Sequence, residues 1–169
     1  MEAPVTADQA RSNIARSSRT LAVVDWSVDP ATVAETLRAH TEREPAAFAL
    51  LVPSRLPGLD WIGDPKASCP CAERQLSEVG ALMRRRGLEI EQGRVTEPER
   101  VAAIRDATRA WTPDRIVLFD RPRLFSAHPF SVARRVERAT GHAVERFEVA
   151  PANGPVRGLV HRAPRCATA

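Results

Sequence analysis

Thr20-Leu21-Ala22-Val23-Val24 is a β-branched and aliphatic run that stops on Asp25-Trp26-Ser27 and gives way to Val28-Asp29-Pro30. Asp before Pro is a helix N-cap followed by the residue best tolerated at the first helical position, and Val33, Leu37 and His40 then recur at helical spacing. One buried strand therefore feeds one amphipathic helix. The same unit returns along the chain: strands are expected at Phe48–Val52, Leu88–Val95, Arg115–Phe119 and Ala143–Val149. Helices are expected at Pro70–Arg86, after the capping box Thr96-Glu97-Pro98-Glu99, and at Pro129–Thr140, with Gly87 and Gly141 as stops. Alternation of this kind predicts one α/β domain built on a mostly parallel, doubly wound sheet with helices on both faces.

The domain is expected over 20–150, between flexible tails at 1–19 and 151–169, each polar or rich in Pro, Gly and Ala and without periodicity. Ala10–Arg19 carries Arg and Ser without acids, and a disordered tail is preferred there over an organellar transit peptide. No run approaches the length of a bilayer span, and the amino-terminal stretch lacks a secretory signal's apolar centre, so the expected compartment is the cytoplasm, with no membrane partner. The segment 53–68 is dense in Pro and Gly and contains Trp61; loops of that length usually carry function or are disordered.

Composition narrows the chemistry. The net charge of +4 is carried by arginine, since Lys66 is the single lysine and stands in Pro65-Lys66-Ala67. Walker-type NTPase chemistry, which needs Gly-Lys-Ser/Thr, is excluded, and phosphate contacts fall to arginine or backbone amides. Cys69-Pro70-Cys71 with a distant Cys166 supplies too few thiolates at recognised spacing for a closed zinc site, so no metal is expected; Cys69 reads as a cap before Pro70. Arg84-Arg85-Arg86 and Arg134-Arg135 with Arg138 read as solvated helix ends. With aromatics at 5% and no tyrosine, no nucleic-acid partner is expected.

Ligands of doubly wound sheets sit beyond the carboxyl ends of the strands. Asp25 and Ser27 stand there after the first strand, and Asp120-Arg121-Pro122-Arg123 followed by Phe125-Ser126-Ala127-His128-Pro129-Phe130-Ser131 stands there after the fourth. A carboxylate can accept from a ribose hydroxyl or an exocyclic amine, and Arg121, Arg123 and Ser131 beside a helix start can hold an anion. Each also has a purely structural reading: an Asx turn for Asp25 and Ser27, a solvated arginine pair in the loop, a capping residue for His128. No nucleophile elbow or metal-protease motif is present, and no catalytic residue is nominated.

Val23-Val24-Asp25-Trp26-Ser27, Asp114-Arg115-Ile116-Val117-Leu118 and Ser131-Val132-Ala133-Arg134-Arg135-Val136, taken in that order, resemble the universal stress protein family over about Thr20 to Val149. The resemblance implies strand order 3-2-1-4-5 and homodimers in many members, here through the strand-five edge. In one branch it also implies an adenine nucleotide held beside the acidic residue that corresponds to Asp25. That branch's phosphate signature is Gly-x2-Gly-x9-Gly-Ser/Thr; here the matching positions read Phe119, Pro122 and Phe130-Ser131, with seven residues between Pro122 and Phe130. The glycines are gone, and Phe119 and Phe130 are expected to fill the space a nucleotide would take.

The expected function is a non-catalytic domain of stress response or regulation, acting by dimerisation or through a protein partner, without a cofactor. The alternative is a sensor binding ATP, AMP or another phosphorylated ligand through Asp25, Ser27, Arg121, Arg123 and Ser131. A third possibility is a weak nucleotide hydrolase.

Overall fold

The computed structural model describes residues 17–54, 70–97, 99–122, 132–150 and 159–161, the last three by their backbone. Strands β1 (Ser18–Val24), β2 (Ala46–Pro53), β3 (Glu89–Thr96), β4 (Arg115–Asp120) and β5 (Val144–Glu148) alternate with helices α1 (Pro30–Thr41), α2 (Pro70–Arg85), α3 (Arg100–Ala110) and α4 (Val132–Thr140). A short strand, β6 (Leu159–His161), follows. The five parallel strands lie in the order β3-β2-β1-β4-β5, with β6 antiparallel on the far side of β5.

Both faces of the sheet are covered, which explains why β1, β2 and β4 read as continuous apolar runs instead of alternating ones. Ala22, Val24, Phe48, Leu50, Val117 and Phe119 pack against Val33 and Leu37 of α1 and Val79 and Met83 of α2. The intervening residues Leu21, Val23, Ala49, Leu51, Ile116 and Leu118 pack on the opposite face against Ile104, Ala107, Trp111 and Val136 from the segments of α3 and α4. Phe119 is fully buried and stacks on Phe147 with ring centroids 5.4 Å apart.

The local signals act as their chemistry requires, with two differences. Asp29 caps α1, accepting from the Thr32 amide at 2.9 Å and its hydroxyl at 2.6 Å. Gly87 and Gly141 follow their helices at φ +74° and +72°, the left-handed conformation that ends a helix and that glycine adopts without steric cost. The capping box, however, does not start α3 at Thr96. Thr96 stays in β3, its carbonyl accepting from the Ser54 amide at 2.8 Å, and Glu99 caps the helix instead, its carboxylate accepting from the Ala102 amide at 2.5 Å. The strand pairing claims Thr96 before the helix can. The second difference is at β5, expected at the edge of the sheet: β6 pairs along its outer side.

At the amino end of the sheet, Glu91 of β3 accepts from the Trp111 indole at 2.5 Å and from Arg19 at 3.1 Å, and the Arg19 guanidinium lies 4.3 Å above the Trp111 ring. The indole hydrogen bond, and then Arg19, hold the Glu91 carboxyl below its usual titration range. A depressed folded pKa gives stabilisation that is complete above the unfolded-state value and lost as pH falls through the folded one. Thermal denaturation should therefore show Glu91→Gln at a disadvantage near neutral pH, with the gap to wild type closing on the acid side of about pH 4; a gap independent of pH would contradict the assignment.

Candidate functional site

Strands β1 and β4 are neighbours in register, Val24 opposite Phe119, so the residues that leave them at the carboxyl edge emerge side by side. Asp25 and Asp120 share the side-chain parity of Val23 and Leu118, which places both on the α3/α4 face. Two like charges at that spot need a cation between them, and Arg100, the first residue of α3, supplies it. Its guanidinium donates to Asp25 Oδ2 at 3.2 Å and bonds Asp120 Oδ1 through its other terminal nitrogen. Arg146 of β5 approaches Asp120 from the opposite side, Nε to Oδ2 at 3.0 Å, and reaches Glu148 at 3.2 Å.

The result is a chain of ion pairs, Asp25–Arg100–Asp120–Arg146–Glu148, whose side chains are only 10% to 19% exposed. At that burial each charge must be matched by a partner, and the fork of arginine suits a bridge between two carboxylates. The turn after β1 occupies the other oxygen of Asp25. Oδ1 accepts from the Ser27 amide at 3.0 Å and the Ser27 hydroxyl at 2.5 Å, an Asx turn closed by the Val28 amide donating to the Asp25 carbonyl at 3.3 Å. Buried Gln75 of α2 donates to the Val28 carbonyl at 2.8 Å and fixes the turn from the other face of the sheet.

Of the residues singled out from sequence, Asp25 and Ser27 are thus brought together, but onto each other. Arg121 is exposed just beyond Asp120. Arg123 and Ser131 lie outside the described residues, as do His128, Phe130, Trp61 and Cys69. Arg100 and Arg146 were not anticipated. Arg146 carried one readable signal: it has the parity of Val144, whose side chain faces the α3/α4 core, and a charge at an inward-facing strand position requires a partner. Among the described residues no three His, Cys, Asp or Glu side chains could hold a metal ion together. No described helix is long and apolar enough to cross a membrane.

No protein-family model and no curated protein matches the sequence. Solved structures do match the fold. A universal stress protein from Archaeoglobus fulgidus superposes with a TM-score of 0.54 at 22% identity, over 76% of this chain and 92% of that one. The fold is that of the universal stress proteins. A universal stress protein in complex with cAMP also gives a TM-score of 0.54, at 15% identity over 78% of this chain and 98% of that chain. The Archaeoglobus fulgidus protein in complex with dAMP gives 0.51, at 21% identity over 77% and 96%. The strand order implied by the sequence resemblance is the order found for the five parallel strands.

Proposed function

We propose that this protein is a non-catalytic universal-stress-protein-like domain with a regulatory role, working through contact with a second copy or another protein. The observation that carries this reading is the state of Asp25. A carboxylate that already takes two hydrogen bonds from Ser27 on Oδ1 and the Arg100 ion pair on Oδ2 keeps at most one acceptor direction, too few to hold both hydroxyls of a ribose without giving up a partner. Phe119 lies in the core, and the sequence after it carries no glycine through Ser131, so it lacks the residue type that lets a backbone approach a polyphosphate closely.

A second reading is favoured by the neighbours solved with cAMP and dAMP: a nucleotide sensor that keeps the carboxyl-edge site and uses Arg121 and Arg123 in place of the glycine cradle. Native mass spectrometry of the purified protein, titrated with ATP, ADP, AMP and cAMP, separates the two. The expected outcome is a protein free of nucleotide up to about 100 µM ligand, an affinity of no more than roughly 5–6 kcal/mol. Co-purified nucleotide, or binding at low micromolar concentration weakened by Arg123→Ala, would establish the sensor.

A further inference from the structure

The two edges of the sheet are protected in different ways. Strand β3 protects itself: Glu89, Glu91, Gln92 and Arg94 are exposed along it, and its register with β2 shifts at Phe48/Ala49, a break that spoils the edge as a template. Strand β5 has no such defence. It contains no proline and no register shift, and its charges are spent inside the fold, Glu145 on His40 at 3.2 Å and Arg146 and Glu148 in the carboxyl-edge chain of ion pairs. What blocks β5 is β6.

The backbone parity shows how. Ile116 donates to the Ala143 carbonyl at 3.1 Å and Val149 to the Asp120 carbonyl at 2.8 Å, so the odd-numbered residues of β5 turn their peptide groups toward β4. The even-numbered residues, Val144, Arg146 and Glu148, turn theirs outward. Strand β6 sets His161 opposite Arg146 and Leu159 opposite Glu148, and its register stops short of Val144. It runs antiparallel, the direction that a second β5 would take across a two-fold axis. Its hold is weak by construction: it has three residues, and it is tethered through residues 149–158, a connection longer than the two to five residues usual for a hairpin.

We infer that β6 is an intrachain cap on β5 that competes with a second copy of this chain for the same backbone groups. Self-association is thereby a switched property of the protein, off while β6 is seated and on when it leaves. This rests on the reading that the protein works through association.

The full-length Leu159→Pro/His161→Pro variant tests it, because proline removes the amide donors of the two residues that face outward-directed positions of β5. Sedimentation velocity between about 1 and 100 µM should find wild type mainly monomeric and the variant dimerising at least about tenfold more tightly. Hydrogen exchange supplies the second readout. The Arg146 and Glu148 amides should be protected in wild type at every concentration, and in the variant only where it is dimeric. Identical association of the two proteins, whether both monomeric or both dimeric, would overturn the inference. Nucleotide occupancy in the same samples, read by native mass spectrometry, reports on the proposed function separately.

Discussion

Phe119→Ala should lower the free energy of unfolding by about 3–5 kcal/mol, the range for removing a fully buried phenylalanine whose cavity cannot collapse. Collapse is hindered here because Phe119 sits on β4 in the middle of the sheet, with Val24 beside it on β1 and Phe147 stacked on it from β5. The test also bears on function. If the aromatic ring were merely plugging an otherwise intact nucleotide pocket, its removal would expose a site, and AMP or ATP would raise the variant's melting temperature. The expected result in a denaturant titration and a thermal scan is a less stable protein that neither nucleotide rescues.

Arg100→Ala is expected to be nearly as damaging, costing about 2–4 kcal/mol, since it leaves two carboxylates facing one another in a poorly hydrated edge. Most of that loss is the penalty of Asp25 left without a cation, since Asp120 keeps Arg146. Adding Asp25→Asn to the variant should therefore recover a substantial part of it, and the double-mutant cycle should show coupling well above 0.5 kcal/mol. Arg100→Lys should recover less than its retained charge suggests, because a single ammonium cannot span Asp25 and Asp120 as the guanidinium does. Additive effects in the cycle would mean that the three side chains do not act as one network.

The elements that could be read from sequence were those whose signals are local. Asp29-Pro30 at the start of α1, Gly87 and Gly141 beyond the ends of α2 and α4, and the apolar runs of β1, β2 and β4 all act through their immediate neighbours in the chain. The start of α3 was less legible because two local signals overlapped there, and the pairing of β3 with β2 took Thr96. At the site, Asp25 and Ser27 were visible from their place after a strand, but their state was not. The partner that decides it, Arg100, is 75 positions away and belongs to no motif, so only the tertiary fold brings it in. Strand β6 was hidden for a different reason: three residues among Pro, Gly and Ala carry no periodicity, and their pairing exists only because β5 offers them an edge.

Trp111, described as a partner of Glu91, is also a source of light. The chain has no tyrosine and three tryptophans, so its intrinsic emission arises from indole alone. Trp111 is buried beneath Arg19 at the amino end of β1, whereas half-buried Trp26 follows Asp25 at the carboxyl end. One strand therefore separates two natural fluorophores, Trp26 beside the candidate site and Trp111 at the strand's other end. Variants that retain either indole singly would let an event at the carboxyl edge be distinguished by colour from the loosening of the whole domain, without any added label.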